Sequence, residues 1–140
     1  MNQKLIDSAE IIGMFCRLKM TTKNDLPIRS SEMGALIFVQ KQEGEVTPSM
    51  ISHFFKIAKP SVTSLVSSLV KKGYLDKKHS EIDKRSYTLR MTRKGNELLD
   101  SAFTEYYRVV HELSERMGKE AFDEFIRLIK KANDILEETK

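Results

Sequence analysis

The stretch from Thr47 to Thr92 constrains the fold of this chain more than any other part of the sequence. Two helix starts lie in its first half, because Thr47 followed by Pro48 offers a hydroxyl cap and a first-turn proline, and Pro60 marks a second first turn. After Pro60 the apolar residues recur at i, i+3, i+4 and i+7, which predicts one buried helix face. These residues are Val62, Leu65, Val66 and Leu69.

After Gly73 the pattern changes from helical to strand-like. Apolar and polar side chains alternate over residues 86–91, and residues 74–78 can form a second short strand. The polar, charged segment 79–85 between them predicts an exposed hairpin tip. Helix, turn, helix and hairpin in this order are typical of winged helix-turn-helix proteins, which bind duplex DNA. The expected fold is therefore mainly α with a small β-hairpin wing (α+β).

The segments on either side of this stretch are predicted to be helical. Residues 5–19 carry apolar side chains on two faces of a helix, and such a helix needs cover on both faces. Residues 21–30 form a linker, after which Ser30 or Ser31 is the expected N-cap of a helix that ends at residues 43–44, with Gly44 left-handed. Met50, Ile51, Phe54 and Phe55 are the expected buried face of the short helix that follows.

Thr92 is expected to cap a long helix that ends at Gly118, and a last helix follows it. These two helices could form a simple antiparallel hairpin. We favour a dimerisation layer built from both chain ends, because the first helix also needs partners. The chain is then a single unit over 1–140, with a winged lobe at about 30–92 and a helical dimerisation region at about 1–22 and 93–140.

Composition narrows the class of protein without identifying it. Hydrophobic residues make up 40% and charged residues 31% of the chain, which is an ordinary globular balance. The formal net charge of +4 is compatible with a polyanionic partner but is weak support for one. The single cysteine, Cys16, excludes an internal disulfide framework, and no apolar run approaches the ~20 residues that cross a bilayer. We therefore expect a cytoplasmic protein that does not enter a membrane.

The candidate DNA contacts lie on the second helix and on the hairpin tip. A helix presented in this way places its N-terminal residues against base edges in the major groove, and small hydroxylated residues allow a close approach. At the tip, Arg85 can reach the minor groove, and Asp83 could hold it extended. The alternative is that both sets are only solvated polar surface. The predicted DNA-binding residues are Thr47, Ser49, Lys59, Pro60, Ser61, Thr63, Ser64, Ser67, Ser68, Asp83, Lys84, Arg85 and Ser86.

From about Thr47 to Gly95 the chain resembles the MarR family of winged helix-turn-helix transcriptional regulators. The resemblance is carried by two motifs, PSVTSLVSSLVKKGYL and DKRSYTLRMTRKG. In the second motif the family's wing acid, wing arginine, strand apolars, cap and glycine fall on Asp83, Arg85, Leu89, Met91, Thr92 and Gly95. Lys56 stands where helix-turn-helix proteins often have glycine, and Ser64 stands where many relatives have arginine.

The resemblance implies a homodimer with interlocked terminal helices and two winged lobes that read a pseudo-palindromic double-stranded DNA site. It also implies that the wing arginine, Arg85, enters the minor groove while Ser61 and Thr63 face the major groove. Proteins of this family are more often repressors than activators, and many release DNA when a small, often aromatic, effector binds.

Two alternatives remain open, an oxidant sensor and a winged-helix module that binds a protein, whereas a metal site and an enzyme are not expected. Some relatives sense oxidants through a cysteine in the first helix, but the apolar neighbours of Cys16 predict a buried and inert thiol. His53, His79 and His111 lie on different predicted elements, so we expect no metal site and no cofactor. No phosphate loop, nucleophile elbow or paired-carboxylate motif is present, which argues against an enzyme. A winged-helix module that binds a protein and not DNA is the remaining rival.

Overall fold

The computed structural model describes residues 2–20, 26–83 and 85–139, except for the side chains of Lys19, Met20 and Tyr106. The described residues form six helices and two antiparallel strands, which confirms the mainly α fold with a small hairpin. In chain order they are α1 (Gln3–Met20), α2 (Ser30–Lys41), α3 (Pro48–Phe55), α4 (Lys59–Lys71), β1 (Leu75–His79), β2 (Tyr87–Met91), α5 (Arg93–Met117) and α6 (Lys119–Glu138).

The helix boundaries follow the local chemistry of the sequence at three positions. The Thr47 hydroxyl accepts a hydrogen bond from the backbone N–H of Met50 at 3.2 Å, so the predicted N-cap of α3 is confirmed. Lys56, between α3 and α4, has φ of 56° and ψ of 44°, which confirms that a non-glycine residue takes the left-handed turn conformation there. Gly73 ends α4 with φ of 86°, a backbone conformation that L side chains rarely adopt.

The predicted ends of α2 were wrong. Its N-cap is Arg29, not Ser30 or Ser31, and the carboxylate of Glu32 accepts a hydrogen bond from the Arg29 backbone N–H at 2.9 Å. The helix ends at Lys41 with an extended Gln42, and Gly44 is not left-handed. The physical reason is that the chain leaves α2 extended, so that Val46 can pair with Leu89 of β2; the Leu89 backbone N–H donates to the Val46 carbonyl at 2.7 Å.

The hairpin strands are displaced slightly from their predicted bounds. β1 begins one residue later than expected and includes His79, which pairs with Tyr87. β2 begins at Tyr87 and not at residue 86. The backbone N–H of Ser80 still donates to the carbonyl of Ser86 at 2.9 Å, so the tip begins after this bond. Leu89 is the buried residue of β2, while Arg90 points to solvent.

Residues 26–104 belong to one compact unit, the winged lobe, and its core is centred on α4. The four apolar residues of α4 predicted to be buried are buried, and they share the core with residues of α2 and the hairpin. The prediction for α3 was wrong in part, because only Ile51 is buried and Phe54 is 60% exposed. The ring of Phe54 instead packs against Phe38 and Phe55 at the lobe surface, with centroids 4.7 Å and 4.9 Å away.

Glu32 is the one charged side chain in the buried core of the described residues, with 0% exposure. Its carboxylate accepts hydrogen bonds from the Ser68 hydroxyl at 2.6 Å and from the Lys72 ammonium at 3.0 and 3.1 Å, besides the Arg29 backbone N–H. Burial alone would raise the pKa of Glu32, but these donors outweigh it and hold the pKa at about 2. The carboxylate is therefore ionised inside the lobe and joins α2 to α4.

The second compact unit contains the described residues of 2–20 and 105–139. No described side chain of α1 or α6 is buried, although the ring of Phe15 meets that of Phe125 edge-on with centroids 5.7 Å apart. Large apolar residues of this unit are exposed, among them Leu5, Ile11, Ile12, Leu18, Val110, Ile126, Leu128, Ile135 and Leu136. None of the helices in the described part of the chain is both long and apolar enough to span a bilayer.

The start of α5 lies tightly against the end of α4. The Thr92 hydroxyl donates to the Gly73 carbonyl at 2.6 Å and accepts from the Gly95 backbone N–H at 3.0 Å, which confirms Thr92 as the helix cap. A Cβ atom added to Gly95 would lie 2.4 Å from the carbonyl oxygen of Tyr74. Only glycine therefore fits at this position without a backbone shift.

We expect Gly95→Ala to lower the free energy of unfolding by about 2 kcal/mol or more, because the added methyl overlaps a backbone oxygen. Urea unfolding followed by circular dichroism would measure the loss. Gly44→Ala is the matched control, since a Cβ there meets nothing within 4 Å. Equal stability of the two variants would contradict the close approach.

We also expect acid stability to depend on Glu32. Its pKa is lowered from the ordinary 4.5 to about 2, so the ionised carboxylate contributes stability that is fully present above pH 4.5 and is lost as the pH falls toward 2. Glu32→Gln should lower the free energy of unfolding at pH 7 and flatten its decline over that window, as measured by urea unfolding at each pH. Glu97→Gln, which removes an exposed carboxylate paired with exposed Arg93, should keep the wild-type slope. A Glu32→Gln curve parallel to that of wild type would count against this role.

Candidate nucleic-acid interface

The outer face of α4 is polar and built from small side chains. Its residues are exposed on the side opposite the buried apolar stripe, as the 3.6-residue period requires. The Thr63 hydroxyl donates to the Lys59 carbonyl at 3.1 Å, one turn earlier in the same helix. The exposed candidates on α3 and α4 are Ser49, Lys59, Pro60, Ser61, Thr63, Ser64 and Ser67.

Two of the predicted DNA-contact residues, Thr47 and Ser68, use their hydroxyls in hydrogen bonds within the protein. The Ser68 hydroxyl is half-buried and donates to Glu32, so it is turned toward the lobe and away from the outer face. The Thr47 hydroxyl caps α3. The structure thus leaves Ser61, Thr63, Ser64 and Ser67 as the accessible hydroxylated residues of α4.

The wing tip is shaped by side-chain bonds to its own backbone. The Ser80 hydroxyl accepts from the N–H groups of Ile82 and Asp83, each at 3.2 Å. The Asp83 carboxylate accepts from the backbone N–H of Arg85 at 3.0 Å and from the Ser86 hydroxyl at 3.3 Å. Such bonds favour a defined turn over a flexible loop.

Arg85 is 98% exposed at this tip, and its Nε lies 4.0 Å from the Asp83 carboxylate. Asp83 therefore fixes the backbone at Arg85 and holds the guanidinium only through a solvent-exposed ion pair, which contributes little energy. Lys84, the remaining predicted wing contact, lies outside the described residues. Among the described residues of the tip, Arg85 is a long cation that projects from a shaped turn into solvent.

The base of the wing is held by side chains of both strands. The Lys77 ammonium lies 4.6 Å from the ring centroid of Tyr87, a distance typical of a cation–π contact. Burial raises the pKa of the Tyr87 phenol, so the ring is neutral at ordinary pH. These contacts support the strands that carry the tip.

The sequence reasoning missed the residues that hold the exit of α4. Glu32 and Lys72 bridge α2 and α4, and the Lys94 ammonium donates to the Lys72 carbonyl at 2.8 Å and lies 5.0 Å from the Tyr74 ring centroid. One signal was available in the sequence, because Glu32 directly precedes the run 33–39, which contains no polar side chain, and a carboxylate buried with that run needs a partner.

The candidate oxidant-sensing and metal-binding side chains, Cys16 and the three histidines, are exposed. Cys16 is exposed in the chain, so the expectation of a buried thiol was wrong. The apolar side chains around it on α1 lie at the surface of their unit and do not cover it. His53, His79 and His111 are exposed, and among the residues with described positions no three His, Cys, Asp or Glu side chains form a metal-binding group.

Comparison with known proteins shows that part of the chain matches a protein family. Residues 25–86 match the model of the MarR family. The transcriptional repressor MprA of Escherichia coli (strain K12) is 26% identical over 98 residues, which are 69% of this chain and 56% of that protein. The chain thus spans little more than half the length of the curated relatives it matches.

Solved structures show the same fold. A MarR/EmrR family transcriptional regulator from Acinetobacter sp. ADP1 aligns with a TM-score of 0.77 and 20% identity, covering 99% of each chain. A mutant MarR from E. coli complexed with operator DNA aligns with a TM-score of 0.76 and 18% identity, covering 92% of this chain and 95% of that one. The match to the MarR family model covers α2, α3, α4 and β1 and ends before β2, so it spans less than half of the chain.

Proposed function

We propose that this chain is a transcriptional regulator, a repressor, that binds double-stranded DNA as a homodimer. The observation that carries the proposal is the presentation of α4, with four apolar residues buried in the lobe and a continuous row of small polar residues outside. The match of residues 25–86 to the MarR family model supports it, as do the sequence similarity to MprA, a transcriptional repressor, and the fold shared with the MarR structure with operator DNA. We assign no enzymatic activity and place the protein in the cytoplasm, where its DNA partner would be.

In this proposal α4 is the recognition helix and enters the major groove. Ser61, Thr63 and Ser64 lie near its N-terminus and can donate to phosphates or base edges, while their small size allows a close approach. Lys59 adds a positive charge at the same end. Because hydroxyls lack the bidentate fork of arginine, we expect modest base discrimination from this helix. Ser68 is excluded from the direct contacts, because its hydroxyl bonds to Glu32.

The β-hairpin wing is the second proposed DNA contact. Arg85 can reach a narrow minor groove, where the negative potential of the walls favours a guanidinium. Asp83 contributes by shaping the turn, and Lys84 and Ser86 flank the arginine in sequence. The same shape could serve a protein-binding module, so DNA binding itself has to be measured.

The second unit is proposed as the dimerisation region. Its exposed apolar residues on α1, α5 and α6 would remain in water in a single chain, at a cost of about 25 cal/mol per Å² of apolar surface. A second copy of the same surface would cover them in a closed two-fold assembly. Two winged lobes would then face a pseudo-palindromic site, and a small aromatic effector is proposed to release the DNA, as the family resemblance implies.

We expect Arg85→Ala to weaken binding to the operator about tenfold and to reduce the slope of log K against log salt by about one. The operator would first be selected from genomic fragments, and affinity measured by fluorescence anisotropy over a salt series. Arg93→Ala, which removes an equally exposed arginine from α5, should stay within about twofold of wild type. Wild-type affinity in Arg85→Ala would refute the wing assignment. A wild-type chain that binds no duplex at low salt would favour the protein-interaction module.

We expect light scattering to give a mass of twice the 16.2 kDa chain at micromolar concentration. Leu136→Glu should raise the dimer dissociation constant at least about tenfold, because it puts a charge into the apolar contact. Lys131→Glu, on a differently oriented exposed position of α6, is the control for added negative charge. A folded wild-type monomer at these concentrations would exclude the dimer.

A further inference from the structure

We propose that Glu32 is a positioning residue that fixes the rotation of the recognition helix α4 about its own axis, through Ser68 and Lys72. The inference rests on the proposed function in one respect, that α4 is the element that meets DNA. Glu32 itself lies in the core of the lobe and would touch no nucleotide.

The contacts of Glu32 are directional and use both carboxylate oxygens. Oε1 accepts from the Arg29 backbone N–H at 2.9 Å and from the Lys72 Nζ at 3.0 Å, while Oε2 accepts from the Ser68 Oγ at 2.6 Å and from the same Nζ at 3.1 Å. Ser68 lies on the last turn of α4, and Lys72, four residues later, is the C-cap residue that directly follows the helix. One carboxylate on α2 thus holds the last turn of α4 and its C-cap on the same side.

Apolar packing alone does not fix the rotation of a helix so sharply. The stripe from Val62 to Leu69 is buried by a non-directional effect that depends on the area removed from water. A rotation of about 20° moves a surface atom about 5 to 6 Å from the helix axis by roughly 2 Å, which exceeds the tolerance of a hydrogen bond to a base. Short charge-assisted bonds to the buried Glu32 carboxylate, formed by the half-buried Ser68 and the partly exposed Lys72, resist such a rotation.

Other bonds at the end of α4 hold its backbone exit and not its rotation. The Thr92 hydroxyl donates to the Gly73 carbonyl, and the Lys94 ammonium donates to the Lys72 carbonyl. Both acceptors are main-chain atoms beyond the last turn. The side-chain azimuth of Ser68, and with it that of Ser64 one turn earlier, is set by Glu32.

A stabilising role and a positioning role predict different results. Buried ion pairs can often be replaced by apolar groups of similar volume without loss of stability. We therefore expect the triple variant Glu32→Met/Ser68→Ala/Lys72→Met to melt close to wild type and yet to discriminate poorly between the operator and unrelated duplexes. A triple variant with wild-type discrimination would overturn the proposal.

The first measurement does not involve DNA. Amide hydrogen exchange of the full-length chain should be about tenfold faster over the last two turns of α4 in Glu32→Gln, as the loss of charged hydrogen bonds implies. α3 should be unchanged, and Glu97→Gln should match wild type throughout. Unchanged exchange in α4 would overturn the proposal, even if the melting temperature fell.

The second measurement compares two duplexes. In Glu32→Gln the affinity for the operator should fall about tenfold, whereas affinity for a scrambled duplex of equal length should stay within about twofold, because phosphate contacts tolerate a small rotation. Simple unfolding would lower both affinities in the same proportion, and that result would overturn the proposal. Lys72→Met, which keeps the bonds from Arg29 and Ser68, should show a smaller loss in the same direction.

The two proposals fail in distinguishable ways. If the wild-type chain binds no duplex, the proposed function is wrong, and exchange in α4 still decides whether Glu32 holds the helix. If wild type discriminates its operator and Glu32→Gln does so equally well, the function stands and the positioning role is wrong.

Discussion

The winged lobe depends on one constraint, that α4 must bury an apolar face and present a polar one at the same time. Val62, Leu65, Val66 and Leu69 are all buried, and each such side chain contributes about 1.5 to 3 kcal/mol to stability. α2, α3 and the hairpin are arranged around this face. The outer face carries small hydroxylated residues that are exposed and take no part in this packing.

Charged hydrogen bonds to Glu32 add directional contacts to this apolar packing. The ionised Glu32 carboxylate would be costly in a dry core without its donors, and the hydrogen bonds it accepts hold its pKa near 2. The same group links the start of α2 to the end of α4. Near that end, Lys94 and Thr92 tie α5 to the carbonyls that follow the helix. Several polar bonds of the lobe therefore meet at the exit of α4.

The second compact unit exposes large apolar residues, whereas the winged lobe buries them. Its helices expose aliphatic residues such as Ile12, Ile126 and Leu136, and their described side chains bury no core of their own. Helical propensity favours such helices locally, but most helical stability in proteins comes from packing an apolar face. A second chain is the proposed source of that packing. In the proposed function, the winged lobe contacts DNA and the helices at the chain ends pair two chains.

The sequence by itself determined the order of elements, because caps, prolines and glycines act locally: Thr47 starts α3, Gly73 ends α4, and the period-3.6 stripe of α4 faces inward. It also pointed to the left-handed Lys56. Only the tertiary structure decided which side chains meet across elements. Glu32 and Ser68 are far apart in the chain, and the partial exposure of the aromatic cluster on α3 depends on how α2 lies against it. Contacts between residues that are far apart in the chain are not visible in local sequence patterns. Ser68, which was predicted to lie on the outer face of α4, is therefore found hydrogen-bonded to the buried carboxylate of Glu32.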